Sequence, residues 1–296
     1  MRDLIRSKFK NQILRSGKEI VLEVRKYHRS VFYKNLWDTD PELVKSRGAV
    51  FVGGKQIVYP MDKCFNYSEN GAGLDLNDDT PVVAYEKLNG YMLNLTLVDE
   101  MFWVVSTTGD AVVIGNESAN EYLNMGQNYI VRFDGFAKYM ELFRSLQVTH
   151  KDSLTLTFEV CHVDDPHIVP EEIGLHPICY QLDGTTYPLG TGTFTTVGEL
   201  KESIKSCTKE GFMVYDLDGE LKYKLKSPYY LAKKWVQRGG SKKVFSASYK
   251  ERLDEEYYPI VERLRLMYTK DGWDSLSEYE KSNKFIEVLG DLREST

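Results

Sequence analysis

From Gly48 onward the chain consists of short apolar runs that are rich in β-branched and aromatic residues. Clusters of Gly, Asn and Asp separate the runs AVFV, QIVYP, PVVAYEKL, YMLNLTLV, MFWVVSTTG, AVVIG and SLTLTFEVC. Runs of this length with turn residues between them predict the strands of a largely antiparallel sheet. The fragment GFMVYDLDGELKYKLKS predicts a further hairpin, whose turn contains Asp218 and Gly219.

Segments with helical spacing flank and interrupt these strands. Apolar residues at helical intervals predict helices within residues 1–35, 118–146 and 236–296. Thr196 followed by Glu199 predicts the start of another helix, because these two residue types at this spacing form a capping box. We therefore expect an α+β domain up to about residue 235 and a small helical C-terminal tail beyond it.

The composition is that of an ordinary water-soluble globular chain, with 296 residues and a formal net charge of -6. No apolar run could span a bilayer, and the basic N-terminus lacks the uninterrupted apolar core of a signal peptide, so we expect a cytoplasmic protein. The acidic balance argues against coating nucleic acid by charge alone, although a local basic groove remains compatible with it. Four widely spaced cysteines predict reduced thiols, and residues 161–167 predict a surface turn rather than a zinc site.

Lys87 is unusual because it lies within the apolar stretch PVVAYEKLNGYMLNL, and lysine is seldom buried without a partner. Partial burial and cationic neighbours favour the neutral amine, which can attack phosphorus or carbonyl centres. Asn89 would place a short polar group beside it, and Gly90 would let the backbone approach a bulky ligand closely. The alternative is an edge-strand lysine with its ammonium in water, followed by an Asn-Gly hairpin turn.

The residues Lys87-Leu88-Asn89-Gly90 resemble the first motif, Lys-x-Asn/Asp-Gly, of the covalent nucleotidyltransferases, which comprise DNA ligases, RNA ligases and mRNA capping enzymes. Further segments resemble the later motifs of that superfamily in the expected order: residues 106–110, LTFEVC with Glu159, residues 178–184, EGFMV with Glu210 and Gly211, and Lys224-x-Lys226. Upstream, Arg47-Gly48 and Lys63-x-Phe65-Asn66 resemble bacteriophage RNA ligases of the tRNA-repair type.

This resemblance implies a nucleotidyltransferase domain, ATP-grasp-like, of antiparallel sheets with flanking helices over residues 1–235, followed by a helical extension over residues 236–296. It implies ATP and Mg²⁺, with Mn²⁺ as a substitute, and an RNA partner with 5′-phosphate and 3′-hydroxyl ends, in the host cytoplasm if the chain is phage-encoded. No membrane partner is expected, and the oligomeric state is left open. The activity implied is RNA end joining, in the manner of tRNA repair, through a lysyl-AMP on Lys87 and an adenylated RNA end.

The resemblance also implies a role for each matching residue. Lys87 would be the nucleophile, and Lys224 and Lys226 would contact the α-phosphate as further catalytic groups. The remaining candidates would bind ATP, with Glu159 and Glu210 holding ribose hydroxyls and water-bound magnesium: Arg47, Lys63, Phe65, Asn89, Gly90, Glu159, Tyr180, Glu210 and Met213. An ordinary structural role remains open for both glutamates and for Tyr180.

Two departures and three alternatives accompany this hypothesis. Thr108 stands where related phage enzymes can carry a lysine, so a phosphate contact there is missing or is supplied elsewhere, and Met213 replaces a valine. No stretch after Lys226 predicts the five-strand barrel of DNA ligases and capping enzymes, which favours an RNA ligase.

The alternatives are a DNA ligase, an mRNA guanylyltransferase and a non-catalytic RNA-binding module. Basic residues with interleaved aromatics over residues 222–243 predict either a nucleic-acid groove or a charged helix face.

Overall fold

The computed structural model describes residues 4–133, 135–145, 154–165, 167–182 and 184–294. The chain divides into two compact units, each built from several segments of the sequence. The first contains Met1–Lys63, Gly90–His167 and Glu171–Thr191, and the second contains Cys64–Asn89, Ile168–Pro170 and Gly192–Thr296. Within the described ranges, no helix has both the length and the apolar character needed to cross a membrane.

The first unit holds two antiparallel sheets. A four-stranded sheet follows chain order and consists of β1 (Ile5–Ile13), β2 (Glu19–Tyr27), β3 (Arg47–Val52) and β4 (Lys55–Val58). Strand β5 (Pro81–Lys87) belongs to the second unit. The six-stranded sheet consists of β6 (Tyr91–Val98), β7 (Phe102–Ser106), β8 (Ala111–Val113), β9 (Thr155–Cys161), β10 (Gly174–Leu182) and β11 (Thr185–Pro188). Their order is β11-β10-β9-β6-β7-β8. Buried aliphatic residues such as Leu22, Val50 and Val104 form a core shared by the two sheets.

Short helices complete the first unit. They are α1 (Arg29–Tyr33), α2 (Glu42–Lys45), α3 (Glu121–Asn128), a π-helical turn at Tyr129–Phe133, and α4 (Gly135–Ser145), with a 3₁₀ turn at Trp37–Thr39. Leu123 and Phe143 from α3 and α4 pack with Leu93 and Phe158 of the six-stranded sheet in a second core. One face of that sheet is therefore covered by helix.

The second unit combines a sheet with a helical region. Its sheet has the order β12-β5-β13-β14, from β5 (Pro81–Lys87), β12 (Thr193–Thr196), β13 (Gly211–Tyr215) and β14 (Leu221–Lys226). Helix α5 (Val197–Ser203) covers one face, because Val197 and Leu200 pack on Val82, Ala84 and Val214. Short 3₁₀ turns at Glu69–Gly71 and Ile204–Ser206 adjoin this layer.

The helical region is built around its own aromatic core. Its helices are α6 (Pro228–Gln237), α7 (Tyr249–Arg252), α8 (Tyr258–Met267), α9 (Lys270–Asp274) and α10 (Glu278–Glu294), with 3₁₀ turns at Gly240–Lys243 and Glu255–Tyr257. Trp235, Trp273 and Phe285 are almost completely buried at its centre. Ser227 caps α6 by accepting the N–H of Tyr230, and this cap turns the chain from β14 directly into the helix.

Most of the predicted elements are confirmed, but the N-terminal helix is wrong. The antiparallel strands, the turn at Asp218-Gly219, the capping box at Thr196 and the C-terminal helices are present. Residues 5–27 instead form β1 and β2, because Ile20, Leu22 and Val24 are buried alternately, with the period of a strand. The predicted helix at 118–146 is formed by α3 and α4, and its last residue lies outside the described ranges. Residues on both sides of position 235 belong to the second unit. The division into a nucleotidyltransferase domain over residues 1–235 and a helical extension over residues 236–296 stays a prediction.

A buried carboxylate joins β14 to the helical region. Glu256 Oε1 lies 2.8 Å from Lys226 Nζ and 3.0 Å from Lys234 Nζ, and only 5% of its side chain is exposed. Burial alone would raise the pKa of Glu256, but the ammonium groups of Lys226 and Lys234 outweigh burial and hold it well below its usual range. Arg293 of α10 adds a hydrogen bond to the backbone oxygen of Lys226. The helices are thus fixed to the strand by charge as well as by packing.

We expect Gly211→Ala to destabilise the second unit by about 3 kcal/mol or more. Gly211 has a φ of +144°, and a Cβ built there would lie 2.0 Å from the carbonyl oxygen of Leu225, so β14 would have to move. Gly219→Ala is the matched control in the same hairpin, since it has a φ of +85° but nothing within 4 Å, and it should cost about 1 kcal/mol. Urea unfolding followed by circular dichroism measures both, and equal costs would contradict the expectation.

Glu256→Gln should lower the free energy of unfolding at pH 7 by about 3 kcal/mol, because it leaves two buried ammonium groups without a shared carboxylate. The folded-state pKa of Glu256 is depressed, so its contribution is present above the unfolded value of about 4.5 and is lost as the pH falls through the folded value. Wild-type stability should therefore fall more steeply below pH 4.5 than that of the variant.

The control for this measurement is Glu262→Gln. Glu262 pairs with Lys250 at 2.8 Å, but its side chain is 53% exposed, so its loss should cost less than about 1 kcal/mol. Urea titrations between pH 7 and pH 3 compare the three proteins. A Glu256→Gln variant as stable as Glu262→Gln at pH 7 would show that the buried bridge contributes little.

Candidate active site

Three adjacent strands of the second unit bring two of the predicted lysines together. In the strand register Gly211 of β13 lies opposite Lys87 on one side and opposite Lys226 on the other. Residues opposite each other share a face, so both lysines lie on the face opposite to Ala84 and Val214, which are buried beneath α5. Gly211 has no side chain between them, and their backbones are about 10 Å apart across two strand spacings.

Lys87 forms an ion pair with Glu210. Its Nζ lies 2.9 Å from Glu210 Oε1, and Lys226 Nζ lies 3.8 Å from the same oxygen. The Lys87 side chain is 21% exposed, so the amine is accessible although partly buried. The sequence predicted cations around Lys87, and the structure adds a carboxylate in direct contact with it.

Glu210 is a buried anion held between cations. Its side chain is only 4% exposed. Burial would raise the pKa of Glu210, but the ammonium groups of Lys87 and Lys226 outweigh that effect and hold the pKa below its usual value. Glu210 therefore stays ionised near neutral pH and is able to orient the amine of Lys87.

Asn89 fixes this carboxylate from the other side. Its Nδ2 donates to Glu210 Oε2 at 3.1 Å, while its Oδ1 accepts the backbone N–H groups of Ile168 and Val169 at 2.8 and 3.2 Å. An aspartate at this position could not donate to Glu210, and it would repel that carboxylate instead. The amide of Asn89 explains why asparagine suits the position.

Lys224 lies two residues before Lys226 on the same face of β14. Its strand partner is Met213, and its Nζ lies 3.6 Å from Glu255, the neighbour of the bridging Glu256. The backbone N–H of Lys224 donates to the carbonyl oxygen of Phe65 at 2.9 Å. The structure thus gathers Phe65 and Met213 beside Lys224, and their predicted contacts with the nucleotide stay predictions.

Glu159 and Gly90 form a separate contact in the first unit. The Gly90 N–H donates to Glu159 Oε1 at 2.8 Å, and Glu159 lies on β9 between Met92 and His176. A Cβ at Gly90 would lie 2.2 Å from the carbonyl oxygen of Val160, so no other residue fits without moving β9. The sequence predicted that the backbone at Gly90 would approach a ligand closely. In the structure the backbone at Gly90 lies close to β9.

The two cations predicted to meet the outer phosphates also lie in the first unit. Arg47 Nη1 donates to the carbonyl oxygen of Asp62 at 3.2 Å, whereas its buried Nε has no acceptor among the described residues. Lys63 is 8% exposed, and its ammonium lies over the rings of Phe32 and Trp37, 5.0 and 5.6 Å from their centroids. The unused donor of Arg47 fits an anionic ligand.

Tyr180, the predicted adenine contact, packs against another ring. It stacks on Tyr187 of β11 with ring centroids 4.9 Å apart and planes at 16°. A half-buried aromatic pair of this kind could accept a base on an outer face or could simply complete the sheet. The predicted contact of Tyr180 with adenine stays a prediction.

Sequence reasoning missed the acidic partners of the lysines. Glu255 and Glu256 lie in the run DEEYY, which contains three adjacent acids. The sequence does not distinguish which of these acids is buried. Tyr230 was also missed as a neighbour of the site, although its hydroxyl lies 3.4 Å from Asn89 Nδ2. Tyr230, Tyr223 and Trp235 are 4%, 1% and 2% exposed, so these three aromatics of the predicted groove over residues 222–243 are core residues and not stacking platforms.

Comparisons with known proteins give a likeness of fold only. No protein-family model matches the chain, and no curated protein matches it in sequence. Two forms of an archaeal ATP-dependent RNA ligase superpose with TM-scores of 0.54 at 12% and 13% identity, covering 95% of this chain and 73% and 72% of theirs.

A protein of Aquifex aeolicus that is provisionally named as an ATP-dependent DNA ligase is also similar. It has a TM-score of 0.51 at 14% identity, and the superposition covers 98% of this chain and 76% of that one. The chain therefore has the nucleotidyltransferase fold of ATP-dependent ligases.

Proposed function

We propose that the protein is an ATP-dependent RNA ligase that works through a covalent AMP on Lys87. The observation that carries this proposal is the cluster of Lys87, Glu210 and Lys226 across three adjacent strands. A partly exposed amine beside a fixed carboxylate and a second ammonium suits attack on a phosphate better than it suits packing. The ligase fold supports the same conclusion.

The first step joins Lys87 to the α-phosphorus of ATP. The ammonium of Lys87 loses a proton to Glu210 Oε1, 2.9 Å away, or through it to water. The free electron pair of Nζ then attacks the phosphorus, a nitrogen–phosphorus bond forms, and the bond to pyrophosphate breaks. The low pKa of Glu210 keeps it from retaining the proton, so it serves chiefly to aim the amine.

Lys224 and Lys226 stabilise the charge that builds on the α-phosphate oxygens. Their ammonium groups share one face of β14 with a spacing of two residues, about 7 Å along the strand. Each already faces a glutamate, Glu255 for Lys224 and Glu256 for Lys226, so the two carboxylates hold the ammonium groups in place before ATP arrives. Preorganised charge of this kind lowers the barrier to phosphoryl transfer.

The other roles in ATP binding follow the matching motifs. Arg47 and Lys63 would contact the outer phosphates, Tyr180 and Met213 the adenine, and Glu159 a ribose hydroxyl. Magnesium, when bound, would neutralise charge on the phosphates and would be held through its water molecules. Glu210 and Glu159 are the candidates for this role, because carboxylate oxygens are the ligands that suit water-bound magnesium. Among the described residues, no group of three or more His, Cys, Asp or Glu surrounds a metal position.

Two further steps complete the joining of the ends. An oxygen of the RNA 5′-phosphate attacks the AMP phosphorus, the nitrogen–phosphorus bond breaks, and Lys87 regains its electron pair and a proton. The 3′-hydroxyl of the other end then attacks the activated 5′-phosphate and gives its proton to water. The new oxygen–phosphorus bond joins the two ends, and the bond to AMP breaks, so AMP leaves. Arg47-Gly48 and Lys63-x-Phe65-Asn66 support the bacteriophage tRNA-repair type within this proposal.

Incubation with ATP and Mg²⁺ should add the mass of one AMP to the wild-type protein. Lys87→Ala and Lys87→Arg should both abolish the addition, because neither presents a neutral amine, although arginine retains the positive charge opposite Glu210. Lys205→Ala is the matched control, since Lys205 is an exposed lysine that pairs with Glu202 across one helical turn. Intact-mass spectrometry measures the adduct, and an unmodified wild type that still binds RNA would favour the binding-module alternative.

Single-stranded RNA with a 5′-phosphate and a 3′-hydroxyl should be joined at least about tenfold faster than DNA of the same sequence. The physical reason is that a site which hydrogen-bonds the 2′-hydroxyl loses that contact with DNA. Gel analysis of labelled strands gives both rates. Faster joining of DNA would identify a DNA ligase, and labelling of the protein by GTP in preference to ATP would identify a guanylyltransferase.

A further inference from the structure

The N-terminal hairpin concentrates positive charge in an acidic protein. Residues 4–34 contain nine lysines and arginines but only two glutamates, whereas the whole chain has a formal net charge of -6. The proposed chemistry uses none of these residues. A local surplus of one sign marks a surface for a partner of opposite charge.

Four of these cations lie on one face of β1 and β2. Arg6, Lys8 and Lys10 alternate along β1, and Arg6 lies directly opposite Lys26 of β2. Like charges at opposite positions of a strand pair destabilise the sheet. The pairing of Arg6 with Lys26 therefore suggests that an external anion stabilises both.

One carboxylate only partly neutralises the four cations. Asp110, which is buried, accepts Lys8 Nζ at 2.8 Å and Lys10 Nζ at 3.2 Å. Burial would raise the pKa of Asp110, but the hydrogen bonds from these two lysines outweigh it and hold the pKa low. Arg6 and Lys26 are exposed and form no ion pair with any carboxylate of the described residues.

Lys26 lies against the turn that contains Thr108. A Cβ built on Gly109 would be 3.2 Å from Lys26 Nζ, and Asp110 follows directly in the same turn. The ammonium of Lys26 therefore lies beside the same turn as the carboxylate of Asp110.

The shape of this surface suits a chain of phosphates. β1 is an edge strand, and its alternate residues are about 7 Å apart, comparable to the distance between successive phosphates of an extended nucleic-acid strand. Two other occupants fit less well. A small anion binds tightly only in a concave pocket, and a second copy of the chain would place two basic strands side by side, where they repel. In the other basic segment, residues 222–243, Lys222, Lys226 and Lys234 are already paired with acids.

We propose that Arg6, Lys8, Lys10 and Lys26 bind the phosphate backbone of the RNA strand. The identity of the strand as RNA rests on the proposed function, but the surface itself does not. The contact contributes affinity and not sequence preference, because phosphates are alike along the strand. Affinity through this face therefore depends strongly on salt.

The test is the double variant Arg6→Gln/Lys26→Gln. Neither residue pairs with an acid among the described residues, so their replacement removes no ion pair and should leave the sheet folded. Fluorescence anisotropy with labelled single-stranded RNA at several KCl concentrations gives the affinity and its salt dependence. We expect about tenfold weaker binding at low salt, and a plot of log affinity against log salt whose slope falls by about 1.4, or 0.7 for each lost phosphate contact.

The matched control is Arg15→Gln/Lys18→Gln, which removes the same charge from the exposed turn of the same hairpin. Equal weakening by both double variants, or none by the first, would overturn the proposal. AMP addition from ATP should be unchanged in the first variant, and its loss there would assign these residues to ATP instead and overturn it too. A wild type that forms no AMP adduct, yet binds RNA with this dependence, would refute the proposed ligase and leave the surface standing.

Discussion

The buried carboxylate of Glu256 is the contact on which the second unit depends. Lys226 and Lys234 are both nearly inaccessible, and buried ammonium groups need anions at hydrogen-bond distance. Glu256 serves both of them, and Asp254 is a second partner of Lys234 at 2.6 Å. The same contact joins a strand of the sheet to a turn between helices. This one interaction both stabilises the unit and fixes the ammonium of Lys226, so a ligand that competed for that ammonium would also act on the anchoring of the helices.

The absence of a side chain at Gly211 is the second constraint. Glu210 precedes it and turns its carboxylate towards Lys87 and Lys226, while the bare backbone of Gly211 leaves room between those lysines. One dipeptide therefore supplies both the anion and the space. This accounts physically for a Glu-Gly pair at the start of a central strand, where glycine by itself would weaken the sheet.

Sequence reasoning was sufficient where chemistry depends on residues a few positions apart. Alternation along β14 was enough to place Lys224 and Lys226 on one face, and the order of the segments led to Lys87 and Glu210. It failed at residues 5–27, where apolar residues recur at intervals of both two and four and therefore fit a strand as well as a helix. The segment is a pair of strands because alternate residues of β2 are buried in the core of the first unit. It also missed Glu256, because an acid in a charged helical tail becomes special only through a lysine 30 residues earlier in the chain.

Asn89 shows how such a long-range contact changes the meaning of a residue. From its neighbours in the sequence alone, Asn89-Gly90 is an ordinary turn dipeptide. In the fold the amide has a donor directed at Glu210 and an acceptor directed at two backbone N–H groups, and only asparagine offers both in a side chain of that length. Replacement by aspartate would put two carboxylates in contact and raise the pKa of one of them, which would weaken the hold on Lys87. Asparagine therefore fits this position because it donates to the carboxylate of Glu210, and not because of the turn.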